Sequence, residues 1–163
     1  MYERCYAAPM PEFLERSRPA RGVISNDAIP TVVFLTVCTR GRGRWLADDR
    51  VHVLLRQIWS EADKWNVEPY ILMPDHLHLF AWPGPETCLF DAWVKYWKSR
   101  FTAASRNPSC RWQKYCFHHR IRSHESAEAR WQYIRNNPVR AGLVETIEAW
   151  PYQGEIFKTS LWW

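Results

Sequence analysis

The stretch Tyr70-Ile71-Leu72-Met73-Pro74-Asp75-His76-Leu77-His78-Leu79-Phe80-Ala81-Trp82 decides the fold. Two apolar runs are separated only by Pro74-Asp75, a turn-forming pair that predicts two antiparallel strands joined tightly. Side chains alternate faces along a strand, so His76 and His78 project to one side while Leu77 and Leu79 face the other.

Upstream of the hairpin, apolar residues at Val51, Leu54, Leu55, Ile58, Ala62 and Trp65 have helical spacing, with Asp48 and Asp49 placed for the first turn. A helix is therefore expected from Ala47 to Trp65. Thr31 to Cys38 is rich in β-branched and aromatic residues and reads as a buried strand, followed by a Gly/Arg loop from Arg40 to Arg44. Downstream, Leu89, Trp93, Trp97 and Phe101 recur every four residues and predict a second helix, whose aromatic stripe suits a core better than a DNA platform. Residues 102 to 111 read as loop, Trp112 to Ile121 as a strand, and Ser123 to Asn136 as a third helix capped by Ser123. The tail beyond Gly142 is short and mixed.

Strand, helix, two-stranded hairpin, helix and strand is the order of a split βαβ. The expected class is α+β: a ferredoxin-like core, its antiparallel sheet carrying helices on one face, with a C-terminal helix added. Residues 1–28 mix Pro, Arg and Glu without periodicity and are expected to form an irregular arm, leaving 29–163 as the domain.

A chain of 163 residues can bury one sizeable core without disulfides or structural metal. It contains no run of about 18 apolar residues and no signal-peptide core at the N-terminus, so a cytoplasmic protein with no membrane partner is expected. Cys5, Cys38, Cys88, Cys110 and Cys116 lack CxxC spacing and read as reduced packing residues. The charge of +5 comes from 17 Arg and only 5 Lys. Guanidinium groups bind phosphate bidentately and stack on flat rings, so this bias suits a nucleic-acid partner, although an ordinary basic surface has the same composition.

Chemistry-bearing residues must decide. Two imidazoles on one strand face form half of a site for a divalent ion and leave coordination positions open, as catalysis requires. The alternative is two histidines satisfied by backbone or water. In Trp131-Gln132-Tyr133-Ile134-Arg135-Asn136-Asn137-Pro138, Tyr133 and Asn137 are four apart and are expected on one helix face. Over the face bearing His76 and His78, the Asn137 carbonyl could supply a third ligand beside the Tyr133 hydroxyl. Taken singly, Asn137 before a proline also reads as a cap, and Tyr133 as a core aromatic.

The segments Tyr70 to His78 and Tyr133-Ile134-Arg135-Asn136-Asn137-Pro138-Val139-Arg140-Ala141-Gly142-Leu143-Val144 resemble those of REP-associated tyrosine transposases, of the HUH superfamily of single-strand DNA nucleases. The resemblance runs from about Thr31 to Val144 and includes Trp112-Gln113 and Phe117 to Arg122. It implies a ferredoxin-like core, His76, His78 and Asn137 as ligands of a divalent metal, Mg or Mn, and Tyr133 as the catalytic nucleophile. It further implies single-stranded DNA hairpins as substrate, cut and joined through a 5′-phosphotyrosine, by a monomer or homodimer. One departure is His118, where relatives carry Asp before the histidine at position 119.

Arg40, Arg42, Arg44, Lys98, Arg100, Arg120, Arg122, Arg135 and Arg140 are the expected phosphate contacts. Of the eleven tryptophans, Trp59, Trp93 and Trp97 are expected in the core and others are available for base stacking. Three rival readings remain: a replication-initiator-type HUH nickase, a hairpin-binding module that does not cut, and a metal phosphodiesterase using water.

Overall fold

The structure, a computed structural model, describes residues 32–121 and 124–157. The arm expected over 1–28, Cys5, Arg122 and the Ser123 cap lie outside the described residues.

In chain order the elements are β1 (Val32–Cys38), α1 (Asp49–Glu61), β2 (Trp65–Leu72), β3 (His76–Pro83), α2 (Phe90–Ser105), β4 (Phe117–Ile121), α3 (His124–Arg135), α4 (Asn137–Arg140) and β5 (Gln153–Gly154). Short 3-10 turns span Arg40–Arg42 and Ile147–Ala149. The strands form one sheet in the order β4-β1-β3-β2-β5, and every pairing is antiparallel. The first four give the ferredoxin-like arrangement expected from the sequence, with β3 inserted between β1 and β2.

Pleating divides the sheet into two faces. Val33, Leu35 and Val37 of β1 and Leu77, Leu79 and Ala81 of β3 pack with Leu55, Ile58 and Trp59 of α1 and Trp93, Val94, Trp97 and Phe101 of α2. Val32, Phe34, Ile71, Phe80 and Ile121 face the other way and meet Ala127, Trp131 and Ile134 of α3. Every residue of β1 is buried because both faces of this central strand are covered. Trp59, Trp93 and Trp97 belong to the core as expected.

Several boundaries differ from expectation. Trp65 opens β2 instead of closing α1, which ends at Glu61 with Ala62 outside helical geometry. α1 starts where the Asp48 side chain accepts from the Arg50 and Val51 backbone N–H groups, at 2.9 and 3.2 Å, an N-cap. Leu89 precedes α2 and is 60% exposed, while the helix continues to Ser105 through residues expected as loop. Of the strand expected over Trp112–Ile121 only the last five residues form β4, with Trp112 making an isolated bridge to Thr39. The tail adds β5, which pairs with Tyr70 and Ile71. Trp150 secures that tail: its indole N–H donates to the Leu72 carbonyl at 2.9 Å.

Candidate active site on the α3 face

β3 offers His76 and His78 to the α3 face, where Cys38 and Thr36 of β1 stand opposite them. The two rings meet edge to face with centroids 4.9 Å apart. Each Nδ1 has a partner: Asp75 Oδ1 lies 2.7 Å from that of His76, and Thr36 Oγ1 lies 2.9 Å from that of His78. Partners of this kind fix ring orientation and leave Nε2 as the remaining nitrogen on each ring. Asp75 is itself held by Arg42, whose Nε is 2.8 Å from Oδ2. The hydrogen bond to His76 holds the Asp75 carboxyl below its ordinary pKa, and the charges of His76 and Arg42 act in the same direction against burial.

His78 keeps some exposure yet sits deep among protein atoms, with its ring stacked on Phe34 at a centroid distance of 5.5 Å. Burial holds its pKa well below the usual imidazole value, and the neighbouring basic groups of His76, Arg130 and Arg42 act in the same direction. A neutral imidazole is the form that binds a cation. The donor set therefore fits a divalent ion of the borderline class. Among the described residues no group of three or more His, Cys, Asp and Glu forms.

α3 covers this face because Ala127, Trp131 and Ile134 repeat at helical spacing and bury together. The Trp131 ring meets the Phe80 ring edge-on at 6.3 Å. Tyr133, on the next turn after Arg130, is half-buried at the margin of the same cluster. Pro138 has no N–H to donate back to Ile134, so the helix breaks at Asn136. Tyr133 and Asn137, expected on one helix, thus stand on consecutive elements. α4 closes in a Schellman motif, with Gly142 N–H donating to the Val139 carbonyl and Leu143 N–H to that of Pro138, both at 2.9 Å. Gly142 adopts φ +67°, which explains a glycine at this position of the motif.

Arg140 joins the two elements. Its guanidinium carbon lies 4.4 Å from the Tyr133 ring centroid, and its Nη1 donates to Asn137 Oδ1 at 3.4 Å.

The other expected phosphate contacts divide between regions. Arg40 and Arg44 are exposed on the loop after β1, next to the Arg42–Asp75 pair. Arg135 Nη2 lies 3.5 Å from Glu148. Lys98, Arg100 and Arg120 are not brought to the histidine face. The Lys98 ammonium donates to the Gln113 carbonyl at 2.7 Å, Arg100 pairs with Glu61 at 3.0 Å, and Arg120 stands opposite Val33, whose side chain packs with α1 and α2. His118 points to that helical layer too and pairs with Asp91 at 3.1 Å, whereas His119 shares the α3 face through its register with Phe34. Thr36 and Arg130 were not singled out from sequence. Strand register, which brings Thr36 beside His78, is a non-local property, and Arg130 is one arginine among seventeen.

Comparisons with known proteins bear on the chain as a whole. A Haemophilus influenzae protein, a putative REP-associated tyrosine transposase, is 28% identical over 135 residues, covering 73% of this chain and 76% of its own. The REP-associated tyrosine transposase of Escherichia coli is 28% identical over 122 residues, covering 73% of each chain. The chain is similar to REP-associated tyrosine transposases. A solved structure of a REP-associated tyrosine transposase bound to a REP hairpin superposes with a TM-score of 0.67 at 20% identity, covering 91% of this chain and 96% of that one, and so has the same fold. No family model matches the chain. Among the described residues no helix is long and apolar enough to cross a membrane.

Proposed function

We propose that this chain, like the REP-associated tyrosine transposases it resembles, cleaves and rejoins single-stranded DNA at hairpins, with Tyr133 as the nucleophile. The observation that carries this reading is the imidazole pair: His76 and His78, each fixed at Nδ1, lie on the sheet face that α3 covers, and α3 bears Tyr133. His76 and His78, with Asn137 as third ligand, would hold Mg or Mn. When bound, that ion supplies positive charge to a non-bridging oxygen of the scissile phosphate.

Tyr133 Oη attacks phosphorus in line, forming the Oη–P bond as the P–O3′ bond breaks. The phenol gives up one proton and the departing 3′ oxygen gains one, so the step is balanced without a co-reactant. The 5′-phosphotyrosine keeps the phosphodiester energy, and a second 3′ hydroxyl reverses the exchange to complete strand transfer. Arg140 holds the Tyr133 ring and Asn137 from one guanidinium. Arg40, Arg42 and Arg44 offer phosphate contacts along the loop beside His76.

A second reading, hairpin binding without cutting, is favoured by the Arg140 bond to Asn137 Oδ1, which occupies one lone pair of the third ligand. Labelled single-stranded hairpin DNA incubated with Mg or Mn and either wild type or Tyr133→Phe separates the readings on a denaturing gel. A protein-linked DNA band with wild type alone supports the tyrosine mechanism. Free product from both proteins would identify a hydrolase using water, and binding without cleavage would identify the non-cutting module.

A further inference from the structure

Arg130 occupies an unusual position for an arginine. Its guanidinium carbon lies 4.9 Å from the Phe34 ring centroid, and Phe34 stacks on His78 from the same face. Its Nε and Nη1 are buried with no hydrogen-bond partner. No ion pair links it to a carboxylate among the described residues, and burial pulls its pKa below the usual guanidinium value. Two covered donors left unused on a half-buried cation destabilise a protein unless something else uses them. The side chain also lies three residues before Tyr133 on α3, so the two are neighbours on the helix surface. Arg130 is thus one contact, beside Trp131 on Phe80, between the element that bears the tyrosine and the strand face that bears the histidines.

We propose that Arg130 is a phosphate-holding residue: it donates from its buried N–H groups to a non-bridging oxygen of the scissile phosphodiester while Tyr133 attacks. This rests on the transposase reading above. The Phe34 ring holds the guanidinium by a cation–π contact before DNA arrives, and Nε and Nη1 meet the phosphate once the DNA displaces the atoms that cover them. No bond to Arg130 forms or breaks. Its donors follow the phosphate as three equatorial oxygens take up the charge of the transition state, which makes Arg130 a catalytic residue and not only a contributor to affinity.

The test compares wild type, Arg130→Gln and Arg130→Lys in three measurements: the rate of protein–DNA adduct formation on a saturating single-stranded hairpin with Mn, the hairpin Kd, and the urea midpoint without DNA. The expected result for Arg130→Gln is a loss of about 100-fold in adduct rate, with Kd changed by no more than about threefold. Its urea midpoint should equal or exceed that of wild type, because a half-buried charge with two unused donors is removed. Arg130→Lys should recover part of the rate. If wild type forms the adduct and Arg130→Gln keeps its rate within about threefold, this assignment fails while the transposase reading stands. If both variants lose stability together with rate, Arg130 is structural and the assignment again fails. If wild type itself forms no adduct, the transposase reading falls and takes this inference with it.

Discussion

The Arg140 guanidinium lies 4.4 Å from the Tyr133 ring centroid and links α4 to the last turn of α3 across the break at Asn136. At an exposed site such a cation–π contact stabilises by about 0.5–1 kcal/mol, too little to decide the fold but enough to favour one ring position. Arg140→Met should therefore lower the urea-derived stability by no more than about 1 kcal/mol. The rate of adduct formation should fall further, by up to about 100-fold where the phenol is displaced by an ångström. Equal small losses in both measurements would show that the contact does not orient the tyrosine.

The imidazole pair gives a second prediction. Thr36 Oγ1 lies 2.9 Å from His78 Nδ1 and Asp75 Oδ1 lies 2.7 Å from His76 Nδ1. Thr36→Val preserves shape and removes the hydroxyl. Divalent-ion affinity, measured by calorimetry with Mn, should weaken by about 10- to 100-fold in Thr36→Val and in Asp75→Asn, as is typical when a ligand loses its outer partner. An unchanged Kd in both variants would detach these bonds from metal binding.

The sequence made one kind of structure plain and concealed another. The β2–β3 hairpin was legible because alternation and Pro74-Asp75 are local signals, and the helical cores around Trp59 and Trp97 were legible from their spacing. Trp65 continues the apolar pattern of α1 without a clear stop because only three residues separate the helix from the strand it opens. β5 has two residues and exists only through its pairing with β2, so no periodicity announces it. In the site, His76 and His78 on a common face followed from strand geometry. Thr36 as the partner of His78 required the β1–β3 register, and the burial of Arg130 required knowing which sheet face α3 covers. The separation of Tyr133 from Asn137 was foreshadowed by Pro138, but helical spacing alone put both on one element.

The core on the α1–α2 face should be costly to disturb. Trp97 is fully buried and meets Trp59, Trp93 and Trp112 at centroid distances of 5.8, 6.2 and 5.4 Å. Trp97→Ala leaves a cavity lined by other large rings, which can collapse only by moving several of them. A loss of about 3–5 kcal/mol is expected in urea unfolding monitored by circular dichroism. A loss below about 1 kcal/mol would mean that this cluster repacks freely.

The pH dependence of stability should carry a contribution from His52. Its Nε2 lies 2.7 Å from the Tyr70 hydroxyl, and its ring meets the Tyr152 ring edge-on at 5.8 Å. Arg56, on the same helix, donates to the same hydroxyl at 2.7 Å. Burial and the Arg56 charge lower the His52 pKa from 6.5, with Asp49 opposing. In the window between the lowered folded value and 6.5, the unfolded chain binds more protons at this residue than the folded one. The contribution is therefore fully present above that window, is lost as pH falls through it, and levels off below the folded value. Because the ring is only half-buried, solvent screening keeps the effect small. Urea midpoints of wild type and His52→Gln measured across that range should show a shallower acid decline in the variant. Parallel curves would assign the decline to other groups, among which Asp75, with its lowered pKa, loses its stabilising charge only at lower pH.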